Sequence, residues 1–248
     1  MTVYFIIFFT ALIATALSSM SGGGAAMIAV PVFLMMGMSF PLAVATQKIS
    51  AVFWCPPAAY TYLKGRKVNW RFMILFAGIG LIGAYFGVDV LLGLNRRTLE
   101  IIVGILIVLL VVHAFFKKDF GMVEIKGYPR WRQLLTYPFA FMLGFYESFF
   151  GSGNGIAFAF TTYYTRGYDF MVMLGYYYAV ATAWVLFAAL LYFRHGYYDF
   201  HIMIFAIIGS TIGSIIGSRL GRYKGNQFIK TLFIIVGGIL GIKLLIGI

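Results

Sequence analysis

Apolar and polar positions along the chain alternate in blocks that predict a series of helices embedded in a membrane. Long apolar runs are separated by short polar connections, and the first run, Val3 to Gly37, contains no charged residue. Apolar runs of roughly 20 residues are typical of helices that cross a bilayer. The blocks predict helices or half-helices at Val3–Met20, Ala25–Gly37, Pro41–Leu63, Arg71–Leu94, Thr98–Phe116, Gln133–Phe150, Ile156–Thr165, Phe170–Phe193, Phe200–Leu220 and Gln227–Ile246.

Two glycine-rich stretches interrupt this pattern. Ser21-Gly22-Gly23-Gly24 breaks the first apolar run, and Ser152-Gly153-Asn154-Gly155 breaks an apolar run in the second half. Glycines weaken a helix and free backbone groups that lipid cannot satisfy. Each break is therefore expected inside protein or beside water. The short apolar segment that follows it is either a half-helix or one arm of a re-entrant pair.

The two halves of the chain repeat one plan. The spacing that aligns the two breaks also aligns Gly65 with Gly196, and a slip of one residue aligns Gly83 with Gly213. We predict a first membrane repeat at residues 1–116, a cytoplasmic connector at 117–132 and a second membrane repeat at 133–248. Each repeat would hold a glycine-broken helix pair, re-entrant or discontinuous, plus three transmembrane helices. The expected fold is an all-α polytopic membrane protein.

The distribution of positive charge indicates how the repeats are oriented. The formal charge is +12, and most Lys and Arg residues lie in short loops, where they are topology signals rather than a nucleic-acid site. With Lys64–Arg71 and the connector placed in the cytoplasm, inverted repeats also keep Arg166 and the Arg219–Lys224 cluster inside. Parallel repeats would export that cluster. The positive-inside rule therefore favours two inverted repeats.

Composition excludes several classes of protein. Hydrophobic residues make up 62% of the chain and charged residues 10%, and the mean hydropathy is +0.94, so we expect an integral protein of the cell membrane. The single cysteine, Cys55, excludes an internal disulfide. His113, His195 and His201 show no metal-ligand spacing, and no Ser–His–acid set can be nominated. We therefore expect no enzyme, no cofactor and no metal, and the lack of a nucleotide-binding loop argues against a primary pump.

The breaks have a functional interpretation. Helices that begin just after Gly24 and Gly155 would direct unpaired N–H groups and positive dipole ends into the protein, where they suit an anion. Ser21, Ser152 and Asn154 add polar side chains. The alternative is that the glycines only make tight turns, but two breaks at matching positions favour a binding site.

Two ionisable residues lie near the breaks in otherwise apolar segments. Lys48 lies about two turns into its helix. It either takes part in the binding site at the breaks or snorkels toward the membrane surface. Glu147 lies one turn before Gly151. It is a proton carrier, a partner for Lys48, or an interfacial carboxylate if its segment spans the bilayer.

Several motifs resemble one family of transporters. They are SGGGAAMIAVP, the run Ala43 to Lys48, the Lys64–Trp70 loop and GFYESFFGSGNG. Together they resemble the TauE/SafE sulfite and organosulfonate exporters over nearly the whole chain, and most closely the uncharacterised permease branch. In that branch a Thr-Asn-Lys type motif follows the first break and an acidic residue precedes the second. Lys48 matches the lysine of that motif, and Glu147 matches the acidic residue. Gln47 replaces the usual Asn, and Tyr177-Tyr178 replace a common Thr-Lys.

The resemblance implies a transporter that moves a small anion, such as sulfite or an organosulfonate, by alternating access and with coupling to protons. Glu147 would carry the proton, Lys48 would hold the anion, and Tyr177 and Tyr178 would line the opposite wall. A passive anion channel is the alternative. Beyond the anion, the expected partners are the bilayer and protons, without nucleic acid, and the chain could form an oligomer. The predicted substrate-binding residues are Ser21, Gly22, Gly23, Gly24, Thr46, Gln47, Lys48, Ser152, Gly153, Asn154, Gly155, Tyr177 and Tyr178.

Overall fold

The computed structural model describes residues 2–91, 96–149 and 151–247, which form eleven helices and no strand. Five of the helices are long and apolar enough to cross a membrane. The predicted all-α polytopic fold is confirmed, and the chain is a multi-pass membrane protein. The helices are α1 (Thr2–Ser21), α2 (Ala25–Met35), α3 (Phe40–Leu63), α4 (Trp70–Leu91), α5 (Arg96–Phe116), α6 (Arg130–Leu134), α7 (Thr136–Phe149), α8 (Asn154–Arg166), α9 (Phe170–Arg194), α10 (Phe200–Lys224) and α11 (Asn226–Ile246).

Most predicted boundaries agree with these helices to within a few residues, but the hydropathy pattern does not predict α6. It predicts a polar connector up to residue 132 and one helix from Gln133 to Phe150. Instead, α6 begins after Pro129 and ends before Leu135. Pro138 has no N–H to donate to the Leu134 carbonyl, so a continuous helix would lose a bond at this point. Phe150 and the end of the predicted Arg71–Leu94 helix lie outside the described residues.

The basic loops lie together at one face of the protein. The Arg222 guanidinium donates to the carbonyl oxygens of Thr61, at 2.6 Å, and Lys64, at 3.0 Å. The Lys230 ammonium donates to the Lys117 carbonyl at 2.7 Å. These contacts join loops that are far apart in sequence. We call the surface formed by residues 64–71, 117–132, 166–169 and 219–230 the basic face.

The second broken pair is a re-entrant hairpin. The Thr136 hydroxyl at the start of α7 lies 2.8 Å from the Thr165 hydroxyl at the end of α8, and the Asn154 amide at the start of α8 donates to the Leu143 carbonyl at 2.9 Å. The helices therefore fold back on each other and return to the basic face. At 14 and 13 residues, each covers about 20 Å, less than the roughly 30 Å hydrocarbon core. In the first half α2 packs on α1.

Corresponding helices of the two halves pack in matching ways. α1 packs on α10, and α7 packs on α4. A Cβ on Gly213 would overlap the Leu12 carbonyl, and one on Gly83 would overlap the Phe141 carbonyl. These small residues let the helix backbones approach closely.

The last helices of the two halves, α5 and α11, run antiparallel. Gly104 in α5 faces Gly241 and Leu244, whereas Val111, two turns later, faces Gly237. Copies related by an axis along the membrane normal would run parallel, so this packing supports the inverted arrangement. The inverted repeats and the division at residues 117–132 remain predictions.

Cysteine labelling tests the predicted topology. In a Cys55→Ser background, single cysteines at Lys67 and Lys224, both exposed on the basic face, should be shielded from an impermeant thiol reagent applied to intact cells. Both should label after permeabilisation. A cysteine at His195, exposed between α9 and α10, should label in intact cells. Labelling of only one of the two basic-face positions would contradict the inverted arrangement.

Candidate functional site

The glycine breaks take backbone conformations that other residues rarely adopt. Gly22 and Gly24 have φ of 84° and 105°, and Gly151 and Gly153 have φ of 68° and 83°. These positive values cost a residue with a Cβ about 1–2 kcal/mol. Gly24 and Gly153 are the N-caps of α2 and α8. At the first break, the three glycines alone join the end of α1 to the start of α2.

The two breaks pack directly against each other. A Cβ on Gly23 would lie 3.1 Å from the Gly153 nitrogen, and a Cβ on Gly155 would overlap the Gly22 carbonyl oxygen. Only glycine allows this backbone-to-backbone contact. The contact brings the first turns of α2 and α8 together in the interior of the protein.

Lys48 and Glu147 form an ion pair beside the breaks. The Lys48 Nζ lies 3.0 Å from the Glu147 Oε1, and the Lys48 side chain is 1% exposed. The ammonium also donates to the main-chain carbonyl of Glu147. The structure places Glu147 as the partner of Lys48 rather than at an interface, and Lys48 does not snorkel; a proton-carrying role for Glu147 stays a prediction. A buried pair is weak evidence for stability because desolvation opposes the attraction, so a pair inside a membrane points to function.

The second carboxylate oxygen of Glu147 accepts two further hydrogen bonds. The Asn154 amide donates to Oε2 at 2.8 Å, and the Tyr177 hydroxyl donates to it at 3.2 Å. One carboxylate thus links α3, α7, α8 and α9. A Cβ on Gly151 would overlap the Glu147 carboxylate, so glycine is also needed there for the pair to form.

A small cavity adjoins this network. Its volume is about 20 Å³, enough for roughly one water molecule. Gln47, Glu147, Ser152 and Tyr177 contribute polar groups, and the break at Gly23 and Gly24 forms another wall. The first-turn residues of α2 also line it, and their N–H groups have no partner within the helix. The cavity therefore joins the Glu147 carboxylate, which is paired with Lys48, to a helix N-terminus.

The predicted site does not include the apolar residues that line the cavity, although their spacing in the sequence indicates that they share a helix face with predicted site residues. Ala51, Trp54 and Cys55 line the cavity from α3, and Ala181 and Val185 line it from α9. They follow Gln47 and Tyr177 at intervals of about one and two turns, which places them on the same helix faces.

Four buried polar atoms on residues of the predicted site have no protein partner among the described residues. They are the hydroxyl oxygens of Thr46 and Ser152 and the amide oxygens of Gln47 and Asn154. A buried polar atom without a partner costs about 1–3 kcal/mol. Rotation of the Gln47 amide would place its NH₂ group where the unpartnered oxygen now lies. The atoms are therefore suited to a polar guest.

Three predicted site residues face elsewhere. The Ser21 hydroxyl donates to the Leu17 carbonyl at 2.9 Å. The Tyr178 hydroxyl donates to the Ser18 carbonyl at 2.6 Å. A Cβ on Gly153 would point at Ile107 and Leu240 rather than at the cavity. These three residues shape the breaks and the helix packing around the cavity.

Comparison with known proteins adds to this geometry. The model of the family described as sulfite exporter TauE/SafE matches residues 7–244. The probable membrane transporter protein YfcA of Escherichia coli K12 is 25% identical over 97% of this chain and 88% of its own length. The probable membrane transporter protein ORF9 of a Sinorhizobium species is 26% identical over 96% of this chain and 91% of its own length. No solved structure matches the chain.

Proposed function

The chain belongs to the TauE/SafE sulfite exporter family of membrane transporters, and we propose that it is a secondary transporter for a small anion such as sulfite or an organosulfonate. The observation that carries the proposal is the fully buried Lys48–Glu147 pair beside two touching helix breaks. The attraction between a cation and an anion is stronger in a low-dielectric interior than in water, so the buried Lys48 ammonium favours an anionic ligand. The transporter relatives argue against an intramembrane enzyme.

The anion is held by charge and by hydrogen bonds. Its oxygens bind the Lys48 ammonium and the N–H groups at the start of α2, which carry the positive end of the helix dipole. Thr46 and Ser152 supply hydroxyl donors, and their unpartnered hydroxyl groups support this role. Gln47 supplies the NH₂ group of its amide. Sulfite and sulfonate groups carry three oxygens, which matches such a spread of donors.

Glu147 couples the anion to a proton. The Glu147 carboxylate already accepts a hydrogen bond from the Lys48 ammonium, so an incoming oxyanion has to compete with this carboxylate for Lys48. Protonation of Glu147 removes the competing charge and leaves a neutral acid that Asn154 and Tyr177 still contact. One proton therefore enters with each anion, and the buried charge stays balanced.

The packing of the two halves supports alternating access as the mode of transport. Two inverted repeats whose breaks meet near the bilayer midplane allow one repeat to rock against the other around a fixed site. The small volume of the cavity fits a closed arrangement of the two repeats.

Flux into proteoliposomes tests the proposal. A small alkanesulfonate is the best probe because, unlike sulfite, its charge does not change near neutral pH. With the membrane potential clamped, acidifying the side that holds the sulfonate should drive its accumulation above the equilibrium concentration. Flux that follows only the sulfonate gradient would establish the passive channel instead. Flux of neither sulfite nor sulfonate would refute the proposed substrate class.

A further inference from the structure

A second cavity lies on the basic face, near the end of α8 that is opposite the glycine break. It has a volume of about 420 Å³ and lies between the start of α4, helix α6 and the ends of the α7–α8 hairpin. Three arginines line it: Arg71, Arg130 and Arg166. Asn69 and Gln133 add amide groups. This size is within the usual range of ligand pockets.

The arginines of this cavity have no carboxylate partner among the described residues. Among the described residues, the ion pairs join Lys48 to Glu147 and Arg66 to Asp169, and a protonated His201 would pair with Asp199. Arg166 instead stacks on the Phe72 ring at 3.8 Å, and its buried Nε has no hydrogen-bond partner. Three guanidinium groups thus converge without an anion to balance them.

One side of the cavity is apolar and faces outward. Leu75 and Leu134 line it and are exposed. Trp70 and Trp131, adjacent in sequence to two of the arginines, are 62% and 65% exposed. Exposed tryptophans beside basic residues are typical of the boundary between hydrocarbon and headgroups. The cavity therefore opens toward the lipid headgroups.

Helix α6 is fixed in place at this boundary. The Arg132 guanidinium donates to the Tyr164 carbonyl at 2.6 Å and lies 4.0 Å from the centre of the Tyr128 ring. With α6 attached in this way, Arg130 lines the cavity and Trp131 is exposed at the surface. The helix that carries Arg130 is therefore fixed in place before a ligand binds.

We propose that this cavity binds the phosphate group of an anionic phospholipid. Guanidinium groups bind phosphate oxygens with paired hydrogen bonds, and basic pockets between membrane helices on the cytoplasmic side suit anionic headgroups. A soluble phosphate would satisfy the arginines alone. A lipid also covers Leu75 and Leu134 with its acyl chains, which favours the lipid as the source of the phosphate.

Native mass spectrometry of the full chain in detergent tests the proposal. Phosphatidylglycerol should bind, whereas phosphatidylcholine should bind at least about tenfold more weakly. The double variant Arg71→Gln/Arg130→Gln should lose about tenfold or more in affinity for phosphatidylglycerol. Arg219→Gln/Lys224→Gln removes the same charge from exposed positions of the basic face outside the cavity and should change affinity less than twofold.

Equal losses in the two double variants would overturn the proposal, because they would show unspecific attraction. Inorganic phosphate that binds the wild type as well as phosphatidylglycerol does would assign the cavity to a soluble anion. A phosphatidylglycerol with a diazirine near its headgroup gives a test without substitutions. It should crosslink within residues 69–75 and 130–137 of the wild type, and crosslinks confined to other segments would also overturn the proposal.

Discussion

Replacement of Lys48 by methionine should abolish anion transport. Methionine has a similar length and keeps the apolar stem, but it removes the cation that both Glu147 and the proposed anion need. Truncating one partner of a buried charge pair costs about 2–5 kcal/mol, so the affinity for the anion should fall by roughly 30-fold or more. Binding of sulfite and of a small alkanesulfonate to the purified protein, together with flux in proteoliposomes, measures the loss.

The control is another lysine in a membrane helix. Lys243 donates to the Met27 carbonyl at 3.3 Å and, unlike Lys48, is not the ion-pair partner of Glu147. Lys243→Met should retain binding and flux close to those of the wild type. A folded Lys48→Met protein with unchanged anion affinity would remove Lys48 from the binding site.

The amino-acid sequence is informative about the breaks and the ion pair for physical reasons. Runs of glycine in an apolar environment have few structural explanations, so the positions of the two breaks can be predicted from the residues alone. A lone charge in an apolar segment needs a partner, so Lys48 and Glu147 can be matched although they are 99 residues apart. Re-entrant and discontinuous arrangements, by contrast, share one hydropathy pattern. The Thr136–Thr165 contact distinguishes them.

Other features depend on tertiary packing that no local pattern encodes. Tyr177 and Tyr178 are adjacent, but successive helix positions point about 100° apart. One hydroxyl therefore reaches Glu147 and the other the Ser18 carbonyl. The hydropathy pattern identifies the arginines of the basic face only as topology signals. Their convergence around the second cavity requires α4, α6 and α8 to meet.

The polar network around Glu147 makes its role separable from that of Lys48. Glu147→Gln keeps the size of the side chain and can still accept hydrogen bonds from Asn154 and Tyr177, but it cannot take up a proton. It also removes the negative charge that competes for Lys48. We therefore expect anion binding to be retained, with a loss of its dependence on pH and of proton-driven accumulation. Glu124→Gln, an exposed change in the connector, should leave all three properties unchanged.

A purely structural ion pair makes a different prediction, which the double variant Lys48→Met/Glu147→Gln tests. If the pair only stabilises the fold, each single variant leaves one buried charge without its partner and loses about 3–5 kcal/mol of stability, while the double variant recovers most of that loss. If the pair serves transport, the effects of the two substitutions on stability are still non-additive. The double variant then regains stability but does not regain anion binding. Thermal unfolding and anion binding of the singles and the double separate these cases. Proton-driven accumulation that persists in a well-folded Glu147→Gln protein would exclude Glu147 as the proton carrier.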